Sequence, residues 1–160
     1  MPNSTLAEPR WLNDSERRAW LAYLVTTRRL EEALDRQLQR DSGLPHTYYM
    51  ILAMLSETDG WSLRMSDLAE RTHSSQSRLS HAVARLEENG WVIRKKCPSD
   101  RRGNWATLTQ SGFDTLAAAA PGHVAAVRRH LFDVLTPEQV EQLATISEAV
   151  LGRLGEVEEA

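Results

Sequence analysis

The chain has 160 residues, of which 41% are hydrophobic, with a formal net charge of −3 and a single cysteine. No apolar run approaches the roughly 18–20 residues of a membrane helix, and one cysteine excludes an internal disulfide, which fits a reducing compartment. The start, MPNSTLAEPR, lacks the basic-then-apolar order of a secretory leader, so the reading places the protein in the cytoplasm, with residues 1–12 as a flexible tail.

Residues 13–40 read as a long helix. Asn13 or Asp14 can cap it, Glu16 complements the dipole in its first turn, and Trp20, Leu21, Leu24, Leu30, Leu34 and Leu38 recur at helical spacing. Asp41-Ser42-Gly43 ends it. Pro45 is placed to open a second helix over 45–57, and Thr58-Asp59-Gly60 stops that one.

Residues 61–109 then run as a short apolar piece, two helices joined by a tight turn, a strand, a basic loop and a second strand. The first helix covers 65–72, with Leu68 and Ala69 inward. Thr72-His73-Ser74 makes the turn, and Ser75 caps a helix over 76–89 that Asn89-Gly90 closes. On that helix Leu79, Ala82, Val83 and Leu86 share one face. Gln76, Ser77, Arg78, Ser80, His81 and Arg85 share the other, which is free of acid until Glu87. Trp91-Val92-Ile93 and Trp105, Thr107, Thr109 read as the strands of a two-stranded wing. Pro98, Ser99, Asp100 and Gly103 supply turn chemistry between them.

Charge singles out the same stretch. It holds nine basic and five acidic residues, a net +4, so the remainder of the chain carries −7. The chain's only lysines, Lys95 and Lys96, lie side by side there. On a strand they alternate faces, so one of them is expected to reach phosphate. An acidic protein whose positive charge is gathered in one module can bind a polyanion, because the local field decides the contact. A helix–turn–helix with a wing has this element order, and its second helix is shaped to enter a major groove.

Residues 110–134 return to helix, with Pro121-Gly122 expected to kink or break it. Thr136-Pro137-Glu138-Gln139 is a capping box with Pro at the first helical position, and Leu135 and Val140 are placed as a hydrophobic staple. The helix that follows carries Val140, Leu143, Ile146, Val150, Leu154 and Val157 at intervals of three and four, a seam that wants a partner helix. The fold expected is mainly α with a small β wing. A dimerisation helix (13–44) and C-terminal dimerisation helices (113–160) flank a winged helix–turn–helix region (45–112). Two copies burying their terminal helices together would give a two-fold dimer reading a two-fold operator.

At the level of motifs the sequence resembles the MarR family of bacterial transcription regulators over about residues 13–155. The resemblance is carried by Leu68-Ala69-Glu70-Arg71, Ser77-Arg78-Leu79-Ser80 and Arg85-Leu86-Glu87-Glu88-Asn89-Gly90-Trp91-Val92. Asp100-Arg101-Arg102-Gly103 and Leu108-Thr109-Gln110-Ser111-Gly112 complete it. It implies a homodimer with interlocked terminal helices that binds pseudo-palindromic promoter DNA, usually as a repressor. It also implies release by a small aromatic or anionic ligand, or by oxidation of a cysteine. Position by position, Gln76, Ser77, Arg78, His81 and Arg85 match the family's recognition face, with Ser75 at its start. Arg101 and Arg102 match the wing arginines, and Asp100 matches the brace for Arg102. Two residues depart from the pattern: His73 stands where the turn usually has Gly, and Ser74 replaces a small apolar residue. His tolerates a left-handed backbone better than most side chains.

For the ligand, the resemblance points to the meeting of the dimer helices with the DNA-reading lobe, and Trp20, Tyr23, His46, Tyr48 and Tyr49 are the residues expected to line that pocket, with His46 as polar anchor. Cys97, with Arg94, Lys95, Lys96, Arg101 and Arg102 near it in sequence, is the redox alternative, since positive neighbours lower a thiol pKa. The five histidines show no tight metal spacing, so neither metal nor cofactor is expected. No phosphate loop, nucleophile elbow or paired catalytic acids argue for an enzyme. An architectural DNA binder without an effector, or a protein-interaction module built on the helical ends, are the remaining readings. The second leaves the basic centre unexplained.

Overall fold

The computed structural model describes residues 9–96 and 104–158, the side chains to residue 155. Cys97, Asp100, Arg101 and Arg102 therefore lie outside the described residues. Helix α1 (Asp14–Ser42) is held at its start by a reciprocal capping box. The Asn13 side chain accepts from the Glu16 N–H at 2.9 Å, and the Glu16 carboxylate accepts from the Asn13 N–H at 2.8 Å. Gly43 ends it in the left-handed conformation (φ 64°), where its N–H reaches back to Gln39 O. Helix α2 (His46–Ser56) begins one residue later than expected: Pro45 is its extended N-cap and not its first turn.

The central lobe follows. A 3-10 turn (Asp59–Trp61) leads into strand β1 (Ser62–Arg64), helix α3 (Met65–Arg71), helix α4 (Gln76–Glu88), and strands β2 (Val92–Lys96) and β3 (Asn104–Leu108). The two-stranded wing, β2 and β3, forms as expected, and β1 adds a third strand to its sheet. β1 pairs antiparallel with β3 (Leu63 opposite Ala106), and β3 pairs antiparallel with β2 (Ala106 opposite Arg94), in the order β1-β3-β2. The segment expected only as a short apolar piece is the third strand.

Helix α5 (Gln110–His130) leaves the sheet directly, and helix α6 (Pro137–Glu158) follows a 3-10 turn (Phe132–Val134). Of the kink or break expected at Pro121-Gly122, the break does not occur: α5 continues through the pair. The pair packs where α5 approaches α1: a Cβ added to Gly122 would lie 3.2 Å from Gln37 Nε2. Packing between the helices carries α5 across a position where proline donates no backbone N–H. The capping box at α6 forms as read, with Gln139 N–H donating to Thr136 Oγ1 (3.3 Å) and Thr136 N–H donating to the Gln139 side chain (2.9 Å).

One core holds the lobe together. Leu38 and Leu44 join Ile51, Leu52 and Leu55 of α2, Leu68 of α3, Leu79, Val83 and Leu86 of α4, and Val92, Ala106 and Leu108 of the sheet. Burying such side chains contributes about 1.5–3 kcal/mol each before the entropy of ordering is charged against it. The first half of α1 and all of α6 stay outside this core. Trp20, Leu21, Leu24, Val25, Ile146, Val150, Leu151 and Leu154 are exposed in the single chain. Among the described residues no helix is long and apolar enough to cross a membrane.

Candidate nucleic-acid interface

The turn before α4 is set by its own backbone. His73 and Ser74 donate their N–H groups to Glu70 O and Ala69 O at 3.0 and 2.9 Å, which brings the chain round within one residue of α3. His73 takes the left-handed conformation (φ 46°) that the sequence departure at this position demanded. Ser75 is extended (φ −62°, ψ 148°), and its hydroxyl accepts from the Arg78 N–H at 3.3 Å, starting α4. At the far end Trp91 N–H returns to Leu86 O at 2.9 Å, and Gly90 sits at φ 72°.

With both ends fixed, α4 can face only one way. Leu79, Ala82, Val83 and Leu86 are buried. Ser75, Gln76, Ser77, Arg78, His81 and Arg85 all lie on the exposed side. The structure therefore brings together the α4 residues read from the sequence. They are not equivalent. Arg78 pairs with no acid among the described residues, whereas the Arg85 guanidinium donates to Glu88 at 2.7 Å one turn on. Arg94 is likewise engaged: Glu87 of α4 accepts both its backbone N–H and its guanidinium. Lys95 and Lys96 are exposed and form no ion pair with a described residue.

The sheet register adds a residue the sequence reading did not single out. Arg64, Trp105 and Lys95 stand opposite one another across the three strands, so they share one face. The Arg64 guanidinium lies 5.8 Å over the Trp105 ring. The face of Arg64 becomes readable once β1 is recognised as a strand, because side chains then alternate from the buried Leu63.

The expected ligand-pocket residues do not converge on one place. Trp20 and Tyr23 stack on each other at 6.3 Å on the exposed part of α1. Tyr48 lines a 520 Å³ cleft beside α4 with His81 and Arg85. His46 and Tyr49 instead gather around His123 of α5, with ring centres 5.4 and 4.3 Å from it. His123 comes from a helix the ligand reading left out, and only the chain crossing could have shown it. Burial holds both imidazoles below the ordinary histidine range, His46 against the opposing pull of Asp35 and Glu31, and it raises the Tyr49 hydroxyl. His46 also borders a cleft of 560 Å³ lined by Glu31, Glu32 and Asp35 of α1, Met50 and Met54 of α2, and the turn residues Arg71 to Ser74. Among the described residues no three His, Cys, Asp or Glu side chains are grouped to hold a metal ion.

Comparison with known proteins agrees with this architecture. Residues 42–103 match the MarR family. The chain superposes on Sco3205, a MarR family transcriptional regulator from Streptomyces coelicolor solved in complex with DNA, with a TM-score of 0.86 and 52% identity over 89% of this chain and 90% of that one. It superposes on AbsC, a MarR family transcriptional regulator from the same organism, with a TM-score of 0.87 and 44% identity over 92% and 99% of the two chains. CouR from Rhodococcus jostii RHA1, solved bound to p-coumaroyl-CoA, is 25% identical over 85% and 92%, with a TM-score of 0.70. On its helix–turn–helix, its wing and these matches across almost its full length, this chain belongs to the MarR family of transcriptional regulators.

Proposed function

We propose that the protein is a cytoplasmic, homodimeric repressor that binds pseudo-palindromic promoter DNA through α4 and the wing. The observation that carries this is the outward face of α4: Ser75, Gln76, Ser77, Arg78 and His81 lie exposed together with no acid among them. Arg78, unpaired among the described residues, suits guanine N7 and O6, and the serines, glutamine and histidine add shorter-range donors. Lys95 and Lys96 supply sequence-independent phosphate attraction, with Arg101 and Arg102 of the wing loop and the Asp100 brace as the corresponding proposal for the minor groove. The DNA-bound state of Sco3205 supports the same use of this fold.

Dimerisation is proposed on the uncovered apolar faces. Trp20, Leu21, Leu24 and Val25 on α1 and Ile146, Val150, Leu151 and Leu154 on α6 stay largely exposed in the single chain, and a second copy can cover both sets by two-fold symmetry.

Ligand control is proposed at the 560 Å³ cleft, which lies between α1 and the turn that starts α4. Its Met50 and Met54 floor suits an aromatic body. Its three carboxylates favour an uncharged phenol there over an anion.

Selection of duplex DNA from a random pool by the purified protein tests the central reading. Enrichment of a two-fold sequence with half-sites about one helical turn apart is the expected result. Recovery of no sequence, with no salt-dependent affinity for any duplex, would end it.

A further inference from the structure

Where α1, α2 and α5 meet, two imidazoles pack against each other in surroundings that disfavour a cation. His46 is the first residue of α2 and His123 lies midway along α5; their ring centres are 5.4 Å apart with planes tilted by 36°. Tyr49, one turn beyond His46, lays its ring 4.3 Å from His123 on another side. His123 is only 7% exposed, and its Nδ1 has no hydrogen-bond partner among the described residues. Gln37 of α1, 4% exposed, donates to Asp41 at 2.9 Å and leaves its own Oε1 equally unmatched.

The charged groups around the pair come from each packed element. From α1, Asp35 accepts the His46 backbone N–H at 2.9 Å, and Glu31 lies across the cleft with it. Asp41 is also on α1, held below the usual carboxylate range by hydrogen bonds from Gln37 and Arg40 and by the field of Arg129 on α5. Arg71 at the end of α3 and His73 of the turn after it line the same cleft as His46.

We propose that His46 and His123 form a proton-operated coupling between the α1–α5 frame and the DNA-reading lobe: the neutral rings lock the junction, and proton uptake loosens it and releases DNA. This rests on the DNA-reading assignment made above.

The geometry supports each step. A charge on His46 would sit in the first turn of α2, against the positive end of the helix dipole. A charge on His123 would be buried with no acceptor for its Nδ1–H among the described residues, and the two charged rings would have their centres 5.4 Å apart. Burial lowers the proton affinity of both rings, and His46 lowers that of His123 further. For a base depressed in the folded state, the stabilisation is complete above the unfolded value of about 6.5 and declines as pH falls through the folded values. The consequence reaches DNA because α2 is continuous with the lobe's core through Ile51, Leu52 and Leu55, and α5 is capped by Thr109 directly after the central strand of the wing sheet.

The test uses the full chain and the duplex selected from the random pool, at constant ionic strength, at pH 7.5 and 5.5. Affinity of the unsubstituted protein should fall about tenfold as the two rings take up protons. The His46→Gln, His123→Gln double variant should stay within about twofold across the same range. The sign is diagnostic, because positive charge gained on the DNA-facing side would strengthen binding and not weaken it. An equal loss in the double variant overturns the coupling and leaves the DNA reading intact. Absence of binding at both pH values overturns the DNA reading and the coupling with it. A measurement independent of any variant is the NMR titration of the imidazoles in the unsubstituted protein. Both rings should titrate below about 6.5, and titration at or above it would refute the proposal.

Discussion

Glu87 near the end of α4 and Arg94 on β2 are joined twice: one carboxylate oxygen accepts the Arg94 backbone N–H at 2.8 Å and the other accepts its guanidinium. Helix α4 and strand β2 of the wing are thereby tied together. The pair keeps about a third of its side-chain surface in water, so its value is that of a partly screened ion pair. Glu87→Ala should cost about 1 kcal/mol, a fall of about 2–4 °C in melting temperature for a chain of this size. It should also weaken operator binding severalfold. Thermal melting and fluorescence anisotropy measure the two; unchanged affinity in the destabilised variant would mean that the pair does not orient the wing.

Arg78 pairs with no acid among the described residues, and Arg85 is tied to Glu88. Arg78→Ala should therefore lose about 1–3 kcal/mol of operator affinity with a smaller loss on random duplex. Arg85→Ala should lose less. Titrations against both DNAs decide it. Equal loss on both would reassign Arg78 to phosphate.

Leu143 and Val150 lie on the seam of α6, 37% and 51% exposed in the single chain. Replacing both with Glu should give a folded monomer with little tight DNA binding, because half-site affinities no longer combine. Sedimentation equilibrium shows the mass. A variant that remains dimeric would move the interface elsewhere.

Gly112 has no room for a side chain. A Cβ there would lie 2.2 Å from the Trp91 carbonyl oxygen and 2.7 Å from Leu108 Cδ1. Trp91 O is already engaged by Thr109 N–H at 2.9 Å, which fixes the start of α5 against the wing. Gly112→Ala should destabilise by at least the roughly 1–3 kcal/mol of an overpacked site. A denaturant melt of the variant measures this, and an unchanged midpoint would show that the junction yields.

His73 occupies a left-handed backbone at φ 46°. His73→Val should lose about 1–2 kcal/mol because a β-branched residue fits that region poorly. His73→Gly should be nearly neutral, since relief of strain is offset by the freer unfolded chain, each about 1 kcal/mol. Chemical denaturation of the pair measures the difference, and equal midpoints would deny any strain at the turn.

Most of the fold was legible because its boundaries are local. Asn13, Gly43, Ser75, Gly90 and Thr136 each satisfy a helix end within a few residues, and each does so in the structure. What was not legible depends on distant partners. β1 is only three residues long and is defined by Thr107, Ala106 and Trp105, more than forty positions away. Pro121 reads locally as a break, yet contact between α5 and α1 carries the helix through. In the candidate site, the face of α4 followed from periodicity alone. The neutralisation of Arg85 and Arg94 by Glu88 and Glu87 did not, because it depends on rotamers and on the wing folding back. The aromatic set was hardest. Residues close in sequence, Tyr48 and Tyr49, point to different places, and His46 finds its neighbour 77 positions later in His123.

The unbroken run of α5 has a mechanical consequence. Its 21 residues form a strut about 30 Å long, leaving the wing sheet at one end and reaching the Arg128–Asp133 ion pair at the other. Because α5 stays helical through Pro121, a tilt at one end carries to the other: about 10° at one end displaces the other by about 5 Å. In a two-fold assembly the gap between the paired reading heads is then geared to the angle of two such struts, and a small change in that angle would throw both heads out of step with the turns of the double helix.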